Sequence, residues 1–393
     1  MEYFLPKIFL MSALIFIITY SRLSFADRPL IEIEGAKINT YALAIPSLVI
    51  EPVNNRELNV SALNLINSLK QDLSFINLFH VLDSRSFFID VNSEGFQLSQ
   101  IQFENWKNVG AQGLIKGKIY SDSKNIHVEF SVYNISERNF HFQKKYSIDA
   151  KAVSLVPISH KFAGDLVYYF TKKRSIFDTK ISAIRKLVRN QDLIVMDFDG
   201  NNKVVLTNNR AINLLPSWSI KGLGIFFTSF ISGKPEIYKL SLGKQNLSKI
   251  AGFRGNNMGV DVSLTGKLAF TLSKDGNSEI YIMNEDGTGL TRLTDNWSID
   301  TSPSWAPDGS QIAFVSSRSG EPHIYTMSAD GTNQTRLTFQ GNYNQTPDWS
   351  PLGNVIAFTA RDERNRFDIF SVNIQTKKIT RLTQNQGNNE EPS

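Results

Sequence analysis

The sequence predicts an α/β N-terminal domain followed by an all-β propeller, chiefly because a unit of about 44 residues repeats along its C-terminal half. The segment Pro303–Pro307 (PSWAP) returns 44 residues later as Pro347–Pro351 (PDWSP). The strand-like segment Ile312–Phe314 returns at the same spacing as Ile356–Phe358. Repeats of this length with strand-like contents are typical of the blades of a β-propeller.

Interleaved strand and helix patterns predict a compact α/β domain over residues 36–175. A helix is predicted from Ser61, and a second helix is predicted from Leu155 to Lys172 with Pro157 in its first turn. The buried stripe of the first helix is predicted to be Leu63, Ile66, Leu69 and Leu73. Strands are predicted over residues 41–45, 79–82, 113–120, 126–134 and 140–148.

Residues 176–393 are predicted to form the propeller, because period-2 patterns and turn signals dominate there. The first unit is degenerate, and the second opens at Pro216. In the third unit Val262 takes the place of the tryptophan, and the fourth and fifth open at Pro303 and Pro347. A sixth unit begins at Glu391–Ser393, where the sequence given ends, so we expect five blades and a missing last blade.

The first 26 residues are predicted to be a secretory signal peptide. Lys7 precedes the apolar run Ile8–Tyr20, which is too short for a membrane span of about 20 residues. Ser24 and Ala26 supply the small residues expected before a cleavage site. The mature chain is therefore expected to be exported and soluble, and a membrane anchor is the alternative.

The composition favours neither nucleic-acid binding nor catalysis. The net charge is only +5, and the densest basic cluster is Lys172–Arg174, which a solvated helix end explains. The sequence contains no cysteine, so disulfides and thiolate metal sites are excluded. The five histidines do not have metal-ligand spacing, and there is no Gly-x-Ser-x-Gly motif. We therefore expect no catalytic residue, no metal and no cofactor.

The segments before each Pro-x-Trp motif are the predicted partner-binding loops. They are polar and differ from blade to blade, and loops of this kind converge at the axial mouth of a propeller. Merely solvated loops would show the same composition, and that alternative stays open at this point. The candidate contact residues are Asn256, Asn257, Asp300, Thr301, Gln345 and Thr346.

The chain resembles the TolB family, the periplasmic propeller component of the Tol-Pal system. Besides the blades, the resemblance rests on Asp72–Phe79, Trp106–Gly117 and Phe177–Ile181. It implies a non-enzymatic periplasmic protein that binds the lipoprotein Pal at the propeller mouth. It also implies that the N-terminal arm, residues 27–35, contacts TolA, with Ile31, Ile33 and Gly35 matching the family pattern.

The resemblance further implies a role in outer-membrane integrity, protein transport and constriction at cell division, with membrane attachment only through partners. The family has six blades, so the five units here predict either a truncated gene product, which we favour, or a ring of five blades that closes more tightly. Two other functions remain possible from the sequence. One is a remnant of a periplasmic propeller peptidase or hydrolase, and the other is a propeller that binds a small ligand.

Overall fold

The computed structural model describes residues 40–51, 56–87, 94–152 and 154–393. The predicted signal peptide and the N-terminal arm, with Ile31, Ile33 and Gly35, lie outside the described residues. The chain divides into two compact units, Met1–Asp178 and Thr179–Ser393. No helix in the described ranges is both long and apolar enough to cross a membrane.

The N-terminal unit is built on one mixed sheet with the strand order β3-β1-β4-β5-β6, and β2 pairs with β4. Strand β1 runs parallel to β3 and β4, whereas β4, β5 and β6 form an antiparallel meander. The strands are β1 (Tyr41–Ala44), β2 (Val49–Glu51), β3 (Phe79–Val81), β4 (Gly113–Ser121), β5 (Asn125–Asn134) and β6 (Asn139–Asp149). The helices are α1 (Arg56–Phe75), α2 (Phe103–Asn108) and α3 (Val156–Thr171), with short 3-10 turns at Ser84–Ser86 and Leu98–Gln100.

Helix α1 begins at Arg56, five residues before the predicted start, and its buried face also differs from the prediction. Leu63 was predicted to be buried but is 61% exposed. The buried face includes Leu58, Leu65 and Leu69, because these positions recur at the spacing that keeps one side of a helix against the protein. Ser61 therefore lies within the helix and is not its first residue.

Two polar pairs join α1 to α3 inside this unit. The Nδ1 atom of His160 lies 2.8 Å from Oδ2 of Asp72, and the hydroxyl of Ser159 donates to the hydroxyl of Ser68 at 2.8 Å. His160 and Asp72 are both buried, and a buried polar group is stable only when it is hydrogen-bonded. These contacts give His160 a structural role in the helix pair.

The C-terminal unit is a propeller of five antiparallel sheets, and we number these blades one to five in chain order. Blade one contains β7 (Lys180–Lys186), β8 (Gln191–Asp197) and β9 (Val204–Val205). Blade two contains β10 (Asn213–Trp218), β11 (Gly224–Ser229), β12 (Glu236–Ser241) and β13 (Asn246–Ala251), and blade three contains β14 (Asn257–Val262), β15 (Lys267–Leu272), β16 (Glu279–Asn284) and β17 (Thr291–Arg292). Blade four contains β18 (Asp300–Trp305), β19 (Gln311–Ser316), β20 (His323–Ser328) and β21 (Thr335–Arg336), and blade five contains β22 (Asn344–Trp349), β23 (Val355–Arg361), β24 (Phe367–Asn373) and β25 (Ile379–Arg381).

Each four-stranded blade has a β-bulge in its first strand, which is the inner strand of the blade. In β18 the pairing with β19 shifts between Thr301 and Ser304, and in β22 it shifts between Gln345 and Asp348. The repeated proline lies inside this bulge, where its missing N–H removes no ladder hydrogen bond. The bulge explains why proline recurs in a strand that neighbouring strands cover.

Large apolar side chains fill the spaces between the blades. Trp305 packs with Ile280 of blade three and Ile312 of blade four, and Trp349 packs with Ala306 and Leu337 of blade four. Buried apolar area contributes roughly 25 cal/mol per Å², so residues of this size dominate the stability of each junction. After β25 the chain continues along blade five, and the N–H of Asn389 donates to the carbonyl of Phe367 at 2.8 Å.

Candidate partner-binding site

The antiparallel blades place their connections at two opposite ends of the propeller. Residues 252–256, 293–299 and 337–343 link blades two to five, and we call these three loops the crossover mouth. The turns within a blade that join its first and second strands, and its third and fourth strands, lie at the other end. We call this the turn end, and it includes Asp308-Gly309 and Leu352-Gly353. The sequence-predicted loops all belong to the crossover mouth or to the strands that leave it.

A buried polar residue opens the inner strand after each crossover loop. Asn257 and Asp300 have no exposed surface, and Asn344 is almost as completely buried. The Nδ2 atom of Asn257 donates to the carbonyl of Phe253 at 2.9 Å, and its Oδ1 atom accepts from the N–H of Phe253 at 3.0 Å. In the next loop but one, Nδ2 of Asn344 donates to the carbonyl of Gln340 at 3.0 Å. These residues therefore fix the loops from inside.

Asp300 fixes its own loop through charge as well as hydrogen bonds. Its Oδ2 atom accepts from Nη2 of Arg318 at 2.7 Å and from Nδ2 of Asn296 at 2.8 Å. Burial raises the pKa of the Asp300 carboxyl, and the Arg318 charge opposes that shift. Asn257 and Asp300, both proposed from the sequence as contact residues, are therefore buried supports of their loops and have no exposed surface.

The other four predicted residues lie closer to solvent. Asn256 is exposed, and its backbone N–H donates to the hydroxyl of Ser273 at 2.9 Å. Thr301, Gln345 and Thr346 are half-buried on the inner strands, just inside the crossover mouth. Of the six candidates in the described residues, four are therefore exposed or half-buried, and the other two, Asn257 and Asp300, are buried anchors.

Sequence reasoning missed the apolar side chains of the crossover mouth, because the loops were read for polar residues. Trp297 is fully exposed, and Ile299 and Phe339 are also exposed. The guanidinium of Arg336 lies 5.0 Å from the centre of the Phe339 ring. Exposed aromatic residues are enriched among the residues that dominate binding at protein interfaces. The sequence did contain a signal for Trp297: it is an aromatic residue in an otherwise polar loop, at a position that does not recur from blade to blade.

A layer of Ser and Asp side chains also lies on the inner strands, one per blade from blade two to blade five. Its members follow the repeat spacing as Ser217, Asp261, Ser304 and Asp348. The Oδ2 atom of Asp261 accepts from the N–H of Trp305 in the next blade at 2.6 Å. The hydroxyl of Ser304 accepts in the same way from the N–H of Trp349 at 3.0 Å. Side chains at this position therefore tie one blade to the next.

The two acids of this layer hold their protons unusually tightly. Burial raises the pKa of the Asp348 carboxyl to about 7, and the negative charge of Asp261 adds to the shift. Burial also raises the pKa of Asp261, although its hydrogen bonds from Trp305, Val262 and Ser217 oppose the change. These groups were not singled out from the sequence, because Asp348 stands in the variable place of the Pro-x-Trp motif.

An α/β domain followed by a propeller with a loop-lined mouth defines a two-domain propeller protein. Two family models match the chain: the TolB beta propeller domain over residues 168–393 and the TolB amino-terminal domain over residues 29–140. The chain belongs to the TolB family. The resemblance stated from the sequence and the predicted fold class are both confirmed.

Relatives match most of the chain. The Tol-Pal system protein TolB of Anaeromyxobacter sp. (strain K) is 41% identical over 363 residues, which cover 92% of this chain and 82% of the relative. The protein of the same name from Myxococcus xanthus (strain DK1622) is 39% identical over 357 residues, covering 91% and 81%. The crystal structure of TolB from Acinetobacter baumannii superposes with a TM-score of 0.75 at 23% identity, covering 89% of this chain and 84% of that one. That superposition concerns the fold alone.

Proposed function

We propose that this protein is the periplasmic propeller of a Tol-Pal system and that it binds the lipoprotein Pal at the crossover mouth without catalysing a reaction. It contacts TolA through the N-terminal arm, residues 27–35, where Ile31, Ile33 and Gly35 carry the contact. Its attachment to the membrane is through these partners only. Membership of the TolB family and the relatives named as Tol-Pal system proteins support this proposal.

The observation that carries the Pal proposal is the combination of rigid anchors and exposed apolar side chains at the crossover mouth. Asn257 and Asp300 hold the loops from inside, so binding requires little ordering of the backbone. Trp297 offers a large, exposed contact surface, Thr301 follows the same loop, and Asn256 offers an exposed polar group in the preceding crossover loop. An apolar anchor within a polar rim is the usual composition of a protein interface.

The test is a binding titration with purified Pal from the same genome. Trp297→Ala is expected to weaken binding about tenfold or more, because truncating an interfacial anchor costs about 2 kcal/mol. Charge reversal around Asn256, for example Arg254→Glu, is expected to reduce binding further. The affinity and the rate constants are measured by surface plasmon resonance or isothermal titration calorimetry.

Leu352→Ala is the matched control, because Leu352 is also a largely exposed apolar residue but lies at the turn end. This variant is expected to bind Pal as the unsubstituted protein does. An affinity loss of the same size in both variants, or no detectable Pal binding by the unsubstituted protein, would contradict the proposed site. Steady hydrolysis of a peptide or ester substrate by the purified protein would contradict the non-enzymatic part.

The arm and the compartment are tested separately. Deleting residues 27–35 from the mature chain is expected to abolish capture by the periplasmic domain of TolA while leaving Pal binding intact. Mass spectrometry of the periplasmic fraction is expected to find Asp27 as the first residue of the mature protein. Loss of the gene is expected to release periplasmic markers and delay outer-membrane constriction at division. A cytoplasmic location would refute this part of the proposal.

A further inference from the structure

An apolar cleft of about 580 Å³ opens at the turn end, between blades one and two. Its walls are Val195, Val204 and Leu206 from blade one and Trp218 and Leu242 from blade two. Val204 is 56% exposed, and Trp218 is only half-buried. Clefts of this volume, apolar with a few polar groups, are the usual form of small-molecule sites. The function proposed above does not use this surface.

Two apolar side chains of the cleft stand where the next junction carries an ion pair. Val195 stands in blade one where Lys239 stands in blade two, 44 residues later. Leu242 stands in blade two where Glu285 stands in blade three, 43 residues later. Between blades two and three, Nζ of Lys239 lies 2.9 Å from Oε2 of Glu285. Between blades one and two, Val195 and Leu242 instead form part of the apolar wall of the cleft.

The rim of the cleft carries more positive than negative charge. Lys180 lines the cleft and forms an ion pair with Asp197, which also accepts from Nδ2 of Asn202 at 2.6 Å. Three further exposed lysines lie within two residues of a lining residue in the sequence, and Asp199 is the other acid in these segments. These lysines are Lys203, Lys221 and Lys244. Four lysines against two aspartates favour an anionic ligand.

We propose that this cleft binds a single-chain anionic amphiphile, with the hydrocarbon chain between blades one and two and the acidic head group beside the lysines. The apolar walls gain free energy from the chain at roughly 0.8 kcal/mol for each buried CH₂ group. The aromatic face of Trp218 provides the largest contact. Free fatty acids and lysophospholipids share this chemistry, and different probes separate them.

The experiment uses the full-length mature protein and dodecanoate below its critical micelle concentration. Calorimetry is expected to detect saturable binding, and the fluorescence of Trp218 is expected to change with the same affinity. Trp218→Phe keeps the cleft apolar, so calorimetric binding should persist while the fluorescence change disappears. Dodecyl phosphocholine and dodecyl phosphate serve as head-group probes, and dodecyl maltoside is the uncharged chain.

The decisive variant is Val195→Lys combined with Leu242→Glu, which copies the ion pair of the next junction into the cleft. It is expected to weaken dodecanoate binding at least tenfold while the thermal unfolding transition stays cooperative. Should this variant not fold, Val204→Asp places a negative charge at an exposed position of the wall and is expected to have the same effect. The control is Lys239→Val with Glu285→Leu, which changes the neighbouring junction and should keep the cleft's affinity within about twofold.

Three results would overturn the proposal. The first is no saturable binding of dodecanoate by the unsubstituted protein. The second is equal affinity in a folded variant whose cleft carries the copied ion pair. The third is dodecyl maltoside binding as tightly as dodecanoate, or an acidic leucine-containing peptide binding where dodecanoate does not. Pal capture through the crossover mouth is measured in parallel, because that surface lies at the opposite end and the two proposals fail independently.

Discussion

The two ends of the propeller are made by the same blades but are held in different ways. At the turn end the backbone itself sets the requirement: Gly309 has a φ of 72°, a conformation that residues with a side chain rarely adopt. At the crossover mouth a single buried side chain, such as Asn257, holds the loop from inside. The residues that must keep their identity are therefore surface glycines at the turn end and buried polar side chains at the crossover mouth.

This difference explains where sequence variation is tolerated. A turn that needs a left-handed backbone conformation accepts glycine or asparagine, so the visible residues repeat. A loop that is tied by one buried amide can change most of its exposed residues without losing its attachment, although Gly255 is fixed by its φ of 86° and by the approach of Ser273. The crossover mouth can therefore present different chemistry from each blade.

The largest expected effect comes from removing a buried anchor. Asp300→Ala leaves the Arg318 guanidinium without its main partner, and breaking such a pair costs about 3 kcal/mol in the free energy of unfolding. Asp300→Asn is the matched control, because asparagine occupies this position in blades two, three and five. Urea titrations are expected to show a much smaller loss in the free energy of unfolding for Asp300→Asn than for Asp300→Ala. Equal losses would mean that the charge, and not the loop attachment, is what stabilises this end.

A smaller effect is expected from glycines in the turns within a blade. Gly331→Ala forces a positive φ on a side-chain residue and places its Cβ atom about 2.7 Å from the Leu293 carbonyl oxygen, so about 2 kcal/mol should be lost. Gly309 has a φ of 72°, but a Cβ atom there would lie in open space. Gly309→Ala is therefore expected to lower the free energy of unfolding by about 1 kcal/mol. Thermal unfolding measures the difference. Identical losses would show that the close approach to Leu293 does not constrain the turn.

The smallest expected effect lies between the two ends, at Asp348 on the inner strand of blade five. Its pKa is about 7 in the folded protein against a usual value of 3.8, so the folded state binds the proton more tightly than the unfolded chain. The stability from this proton is complete below about pH 4 and is lost as the pH rises through 7. Asp348→Asn is expected to leave the melting temperature unchanged at pH 4 and to raise it at pH 8, where the buried carboxyl is ionised in the unsubstituted protein.

Ser304→Asn serves as the control for that pH dependence, because Ser304 occupies the same place in blade four and does not titrate. Its melting temperature should shift equally at pH 4 and pH 8. A pH-independent effect of Asp348→Asn would show that ionisation of this carboxyl does not oppose folding.

The blades were predictable because their strongest signals are short and repeat in phase. Trp305 and Trp349 are buried between blades, and glycine follows aspartate in the turns that need a positive φ. The start of α1 was not predictable from a cap, because the helix begins at Arg56 and its buried face follows from packing. Leu63 fits a helical stripe in the sequence, yet tertiary packing turns it toward solvent.

The candidate site was only partly predictable. The loops were found as variable segments within a constant frame, but the sequence does not distinguish the buried anchors Asn257 and Asp300 from the exposed Asn256. Whether Trp297 is exposed depends on the path of its loop, and residue propensities do not predict that path. The cleft between blades one and two could not be predicted from the sequence, because Val195 and Leu242 are ordinary apolar residues along the chain. Only the structure shows that both line the same space.

The buried polar side chain at the start of an inner strand leaves the exposed part of its crossover loop free to carry recognition chemistry. Asn257 accomplishes this with hydrogen bonds to the carbonyls of Phe253 and Gly255. The same loop is also held by the next blade, because the N–H of Asn256 donates to the hydroxyl of Ser273. Asn344 performs the same task one blade beyond Asp300. A loop graft between blades must therefore carry the partner residue of the following blade with it, and recognition specificity is rebuilt in such pairs.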